Sequence, residues 1–371
     1  MRLINAVIMV GGGGNTPQER LMVAAQQAAV LDLTELLKQH GVDQIIIAAP
    51  TTGWIPPDLA VLADSDPPDR PFHFGERLAT LLERYPARST LYFGGGSAPL
   101  IDQASMGMIV GLLERSGTAG GSVPTHIALT NNLHSSDWVA LSHTREAIPI
   151  ARACERDNSL AWLLKESGEF EVRVLSGVRP ATSFDLDTPS DLALIAEHRG
   201  VGVHLRGVIE RHDLSKVPVA RLLEVCRTEA TTVGMIGRVS PLAWGAFNKS
   251  ARCWTRVLAE ERGMVAAQRV EHGLVRSMLV PLIKSVGVAR FFDELVGMCD
   301  AVLFDNRVLW AALGVFPTAA DRFASDLYWI DTIQDQWIRE FTTAAFHAPI
   351  PIVMGGHSVV AGGVYVLTEL L

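Results

Sequence analysis

Cysteine is scarce and unpaired in this sequence. Its four cysteines, Cys154, Cys226, Cys253 and Cys299, lie far apart and form no Cys-x-x-Cys pair. They read as reduced, mostly buried thiols of a cytoplasmic protein, not as a disulfide framework. A long basic run is also missing, and the net charge is −8. That argues against sequence-independent nucleic-acid binding, so no nucleic-acid partner is expected. Internal repeats and low-complexity tracts are absent. The apolar run at the N-terminus ends in four glycines with no small-residue cleavage pattern, so it reads as a buried strand and not a leader. Residues Ala348 to Thr368 carry no Asp, Glu, Lys or Arg, which raises a membrane span. Two prolines, the Gly355-Gly356-His357 turn and Gly362-Gly363 point instead to a buried segment, and no membrane partner is expected.

What is present suffices for packed cores. The chain has 371 residues, 48% of them hydrophobic, and that length favours two domains. In the first half, the run at 3–10 suits a parallel strand covered on both faces. Gly11 to Gly14 make a loop, Glu19 to His40 a helix, and Asp43 to Ala49 a second strand. Further strands are expected at Ser89 to Phe93, 125–130 and Phe170 to Leu175. Helices are expected at Gly75 to Tyr85, Asp102 to Ser116 and Asn158 to Ser167, and 51–72 reads as a loop with a short helix. After about Arg199 most segments read as helices: Val217–Ala230, Ser250–Arg262, Glu271–Val286, Ala289–Leu313 and Ala319–Ala345. Breaks such as Gly234-Met-Ile-Gly separate them. The expected domains are 1–198, an α/β domain, and 199–371, mainly helical.

The stretch Phe184-Asp-Leu-Asp-Thr-Pro-Ser-Asp-Leu192 is the chain's most distinctive. Thr188 suits a helix N-cap and Pro189 its first turn. Asp185 and Asp187 then lie two residues apart on one face of an extended approach, where carboxylates can hold a divalent cation. Asp191 lies in the first helical turn, which suits a negative charge.

Three motifs in this order carry a family resemblance. They are Ala6-Val-Ile-Met-Val-Gly-Gly-Gly-Gly14, Leu91-Tyr-Phe-Gly-Gly-Gly-Ser-Ala-Pro-Leu100 and the Phe184–Leu192 stretch. Together they resemble the nucleotidyltransferase domain of the molybdenum-cofactor guanylyltransferase class, and are similar to the phospholactate guanylyltransferases. The resemblance covers about residues 1–198. It implies a GT-A, Rossmann-like α/β fold, a mixed sheet flanked by helices. It also implies phosphate binding at Gly11, Gly12, Gly13 and Gly14, and magnesium at Asp185 and Asp187. Two departures stand out. The family's Arg and Lys after the glycine loop reduce here to Arg20, with no Lys before Lys38, and the family's metal-binding Asp in the second motif is Ser97. A serine hydroxyl does not replace a carboxylate's charge on magnesium.

Thr130 to Asp137 is dense in hydrogen-bonding groups after an expected strand, so Asn131, Asn132, His134, Ser135 and Ser136 are candidate substrate contacts at the sheet's carboxyl edge. Asp137 is a candidate catalytic carboxylate, able to supply what Ser97 does not. Asn158 is a candidate contact or a helix cap. In the second half, Asp300, Asp305, Arg307, Asp321, Arg322 and Asp326 read first as interhelical salt bridges and caps. With His357, a lone histidine in a glycine turn that makes no zinc site by itself, they read second as a set converging on an anion or metal. The expected function is binding of a nucleoside triphosphate and transfer of its nucleotidyl group to a phosphate or carboxylate acceptor. The alternatives are a nucleotide-binding regulatory or scaffold protein without the chemistry, and a GT-A glycosyltransferase. The helices of the second half suit either a homo-oligomer interface or a cap over the cleft.

Overall fold

The apolar run near the N-terminus is a strand. In the computed structural model, which describes residues 3–116, 126–175 and 183–371, β1 (Ile4–Met9) is buried along its whole length. It belongs to a seven-stranded sheet with β2 (Gln44–Ala49), β3 (Leu62–Ser65), β4 (Ser89–Gly94), β5 (His126–Thr130), β6 (Trp138–Ser142) and β7 (Phe170–Val174). The order is β3-β2-β1-β4-β6-β5-β7. Strand β6 runs antiparallel to both neighbours and the other pairs are parallel. This is the expected mixed, helix-flanked sheet. Alternate side chains of β1 feed two cores: Ala6 and Ile8 pack on one face with Leu37, Phe93 and Ile109, and Val7 and Met9 on the other with Leu78, Val139 and Leu164. Burial on both faces is what produces an unbroken apolar strand.

Two elements of this sheet differ from expectation. Leu62–Ser65 is an edge strand within the stretch read as loop, held by Asp64, which accepts from Arg77, Arg84 and Tyr85. Trp138–Ser142 is a fully buried strand directly after the polar loop. The expected strand at 125–130 begins one residue outside the described ones.

A second sheet lies in the second half. Strands β8 (Thr232–Gly237), β9 (Trp254–Ala259), β10 (Ala301–Asp305) and β11 (Ile352–Gly355) form an all-parallel sheet in the order β11-β10-β8-β9. Helices still make up most of the regular structure there. Three expected elements are corrected. Gly234-Met-Ile-Gly is the core of β8, not a break. Ser250–Arg262 contains β9, not a helix. Ala289–Leu313 is a helix Val288–Met298, then β10, then a helix Asn306–Leu313. β8 and β10 are short apolar runs buried on both faces, with no period that separates helix from strand, whereas β9 is a partly exposed edge strand. Among the described residues no helix is long and apolar enough to cross a membrane.

The chain divides into two compact units. The first holds 1–13, 26–183 and 202–205, with the seven-stranded sheet. The second holds 14–25, 184–201 and 206–371, with the four-stranded sheet. The Phe184–Leu192 stretch therefore belongs to the second unit.

Candidate functional site

In the first sheet, β1 is flanked by β2 on one side and β4 on the other, so the strand order reverses there. Open α/β sheets bind ligands outside the carboxyl ends of the strands at such a switch point. Met9 pairs with Gly94, which sets the ends of β1 and β4 side by side. Gly11, Gly12 and Gly13 follow β1 and are exposed. A Cβ at Gly11 or Gly13 would meet nothing within 4 Å, and Gly13 has a φ of 136°, open to glycine. The turn after β4 packs on the end of β1, where a Cβ on Gly95 would lie 3.1 Å from Val10 Cα. Ser97 is buried in that turn and its hydroxyl donates to the Gly94 carbonyl at 2.7 Å.

The polar loop joins the same edge. Gly94 N–H donates to the Asp137 carbonyl at 3.0 Å. Asn131 is buried, donates from Nδ2 to Asp137 Oδ2, and accepts from the Asp137 N–H at 3.1 Å. Asn132 Oδ1 accepts from the His134 N–H at 3.1 Å. Exposed His134 lies over the Trp162 ring at 4.8 Å. Ser136 is buried and donates to the Asn158 carbonyl through its N–H at 2.9 Å and its hydroxyl at 3.3 Å, which ties Asn158 to the loop through its backbone. Ser135 is half-buried between them. The first unit thus gathers Gly11, Gly12, Gly13, Ser97, Asn131, Asn132, Ser136, Asp137 and Asn158 at or behind one sheet edge.

Gly14 and Arg20 belong to the second unit. Gly14 gives Glu19 room, since a Cβ there would lie 2.5 Å from Glu19 Cβ. Glu19 Oε2 accepts from the Asn15 and Thr16 N–H groups, both at 3.1 Å, and from the Thr16 hydroxyl at 2.8 Å. The Thr16 hydroxyl is the main reason its acidity is raised. The helix Pro17–Gln39 therefore starts on its own carboxylate cap. Arg20 Nη1 donates to the Asn15 carbonyl at 2.8 Å.

The Phe184–Leu192 stretch folds as its sequence dictates. Thr188 and Asp191 form a capping box, and Pro189 opens the helix Pro189–Ile195. Leu186 is fully buried between half-buried Asp185 and exposed Asp187, the alternation of extended chain. Asp191 is buried and accepts at Oδ2 from the Asp187 and Thr188 N–H groups and the Thr188 hydroxyl. Burial and the nearby Asp187 nevertheless push its pKa up to about 8. Among the described residues no three or more His, Cys, Asp and Glu are grouped to hold a metal. A magnesium ion at Asp185 and Asp187 would take its other ligands from water or a bound phosphate.

What the stretch does meet is a set of buried charges at the edge of the second sheet. The order there reverses at β8, flanked by β9 and β10. Just past β8, Arg238 forks onto Asp305 at the end of β10: Nε–Oδ2 is 2.6 Å, Nη2–Oδ1 is 3.0 Å, and the Arg238 N–H adds a bond of 3.2 Å. Asp305 is fully buried and Arg238 16% exposed, so the carboxylate backs a guanidinium that reaches solvent. Burial works against the Asp305 charge, but Arg238 outweighs it and holds the acid below its usual range. Gly237, with a φ of 112°, permits this: a Cβ there would lie 2.6 Å from Asp305 Cβ.

Arg307, in the first turn of the helix Asn306–Leu313, donates to Asp326 Oδ2 and Asn306 Oδ1, each at 2.6 Å, and lies over the Trp310 ring at 4.7 Å. Asp326 is fully buried, and burial keeps its pKa raised despite Arg307. Arg322 is pushed down by burial and by Arg307 beside it. After β11, burial and then Arg238 and Arg262 depress His357 to about 4, so it is neutral near pH 7. Ser358 Oγ donates to the Asp185 carbonyl at 3.3 Å, and Ser190 Oγ donates to the Met354 carbonyl. Asp187 lies close enough to Arg238 to support its charge.

Nothing in the sequence singles out Arg238, the local spacing of Asp305, Arg307 and Asp326 suggests helical salt bridges, and His357 stands alone in a glycine turn. A signal was present. Pro351-Ile-Val-Met-Gly-Gly-His repeats the apolar-run-then-glycine pattern of β1, and Asp300-Ala-Val-Leu-Phe-Asp-Asn is an apolar run ending in polar residues. Both patterns mark a buried parallel strand meeting its loop.

No family profile and no curated protein matches the chain. Solved structures match in part. The 2-C-methyl-D-erythritol 4-phosphate cytidylyltransferase of Thermus thermophilus is 16% identical, with a TM-score of 0.36, over 50% of this chain and 95% of that one. A CMP:2-keto-3-deoxy-manno-octonic acid synthetase complexed with CTP is 13% identical, with a TM-score of 0.33, over 52% and 99%. HddC of Yersinia pseudotuberculosis is 14% identical, with a TM-score of 0.31, over 46% and 89%.

Proposed function

We propose that the first unit binds a nucleoside triphosphate at the carboxyl edge of its sheet, and that the protein transfers the nucleotidyl group to a phosphate or carboxylate acceptor. The convergence of an exposed, unobstructed glycine backbone with an amide-rich loop at the β1/β4 switch point carries this reading. In this proposal the N–H groups of Gly11 to Gly13 approach the phosphates, and Asn131, Asn132 and His134 face the base, sugar or acceptor. Asp137, steered by Asn131, is the carboxylate of this edge. Asp137 would hold a magnesium ion bound with the triphosphate, and the ion would offset phosphate charge. An acceptor oxygen bonds to the α-phosphorus as the bond to the bridging oxygen breaks, and the β- and γ-phosphates leave as pyrophosphate.

One observation favours a second reading, nucleotide binding without transfer. The Ser97 hydroxyl is engaged by the Gly94 carbonyl, where the family resemblance places a metal-binding carboxylate. Calorimetry of the full chain with each of the four triphosphates, with magnesium or with chelator, tests binding. Pyrophosphate release on adding acceptors separates the two readings. Gly12→Val fills the approach with only ordinary contact to Pro50 and should weaken binding about tenfold. Failure of every triphosphate to bind the folded protein contradicts both readings.

A further inference from the structure

The second sheet has its own switch point, and the chemistry there differs from that of the first. The helix Asn306–Leu313 begins directly at the carboxyl end of β10, and its N-cap residue Asp305 makes no side-chain cap. That carboxylate is committed to Arg238 instead. The first N–H groups of a helix have no partner within it, and with the helix dipole they favour an anion. A second, independent feature points to a ligand. Asn306 is fully buried, its Oδ1 holds Arg307, and its Nδ2 donor has no partner among the described residues. Asp326 Oδ1 is likewise buried and unpartnered, while its Oδ2 holds Arg307. One guanidinium thus bridges two side chains that each keep a free buried polar atom, one donor and one acceptor.

Arginine surrounds this point. Arg238 and Arg307 are 16% and 13% exposed, each fixed by a fully buried carboxylate. Arg322 lies near enough to feel the charge of Arg307, and exposed Arg262 follows β9 and faces His357. The carboxylates in the same surroundings are accounted for. Asp305 is saturated by Arg238, Glu19 caps its own helix, and Asp187 is exposed beside Arg238. A guanidinium held in one orientation by a buried acid suits forked recognition of a phosphate.

We propose that the second unit carries a binding site for a small phosphate ester bearing a neighbouring hydroxyl, at the β8/β10 switch point. The phosphate accepts from the N-terminus of the helix Asn306–Leu313, from Asn306 Nδ2 and from Arg307 and Arg322. Asp326 Oδ1 accepts from the ligand hydroxyl, which matches the one free acceptor and keeps it off the phosphate. The inference does not rest on nucleotide binding by the first unit.

The test is calorimetry of the full chain with glycerol 3-phosphate, with inorganic phosphate and glycerol as comparisons. The expected result is one saturable site per chain for glycerol 3-phosphate, weaker binding of phosphate and none of glycerol. Arg322→Gln should weaken glycerol 3-phosphate about tenfold. The paired variant Arg307→Gln/Asp326→Asn removes both charges together, so no buried charge is left alone, and should abolish binding. Circular dichroism checks each fold, and Arg322→Lys, which keeps the charge but not the fork, replaces any variant that does not fold, with a smaller expected loss. No saturable binding to the folded wild type overturns the proposal. So does binding that the folded variants leave within about twofold of wild type.

Discussion

The two sheets place their switch points in chemically opposite surroundings. At the end of β1 and β4 the chain presents glycine backbone, a serine and amides, with Asp137 steered by Asn131. At the end of β8 and β10 it presents arginines fixed by fully buried carboxylates and a neutral histidine. The first edge presents exposed glycine backbone with open space at Gly11 and Gly13. The second is woven into the core of its unit, because a buried charge tolerates no loss of its partner. The same topological rule therefore yields one edge that is open and adaptable and another that is rigid and pre-charged.

The largest expected effect follows from that contrast. Asp305→Ala leaves Arg238 without its buried partner and should destabilise the second unit by about 3–5 kcal/mol. Asp137→Ala at the first edge should cost less, about 1–3 kcal/mol, since it leaves only the neutral amide of buried Asn131 without its acceptor. Urea unfolding of both variants reads the difference, and equal losses would break the comparison. Glycine substitutions sharpen it at smaller scale. Gly237→Ala forces a Cβ toward Asp305 at an unfavourable φ and should cost about 1–3 kcal/mol. Gly11→Ala meets open space and should stay within about 0.5 kcal/mol of wild type.

A pH slope sharpens the comparison in a third way. Burial and Asp187 push Asp191 up to about 8 from an ordinary 3.8. The native protein then keeps a proton that the unfolded chain has released. This contribution to stability is fully present below about pH 4 and is lost as pH rises through about 8. Asp191→Asn keeps an acceptor oxygen for Thr188 and does not titrate, so the decline between about pH 4 and pH 8 should flatten. A decline of wild-type size in the variant would count against burial of a protonated Asp191.

Much of the first unit was legible because β1, β2 and β4 are apolar runs ending in glycine or proline, and the Thr188 cap was legible because capping is local. Trp138–Ser142 was not, because a short buried strand adjoining a polar loop shows no alternation. The pairing of Arg238 with Asp305 was invisible for a different reason. Sixty-seven residues separate them, and only the parallel pairing of β8 with β10 brings them together. Sequence spacing displays charges along one helix or strand but not across a sheet. The expected magnesium pair, Asp185 and Asp187, belongs to the second unit.

The most direct test of the account is a crossed titration. Full-length Asn131→Ala and Arg322→Gln would each be titrated with the best-binding triphosphate and with glycerol 3-phosphate. The account predicts that Asn131→Ala weakens the triphosphate about tenfold and leaves glycerol 3-phosphate unchanged, with the reverse pattern for Arg322→Gln. Loss of both ligands in both folded variants, or loss of triphosphate binding in Arg322→Gln alone, would contradict two separate sites on two sheets.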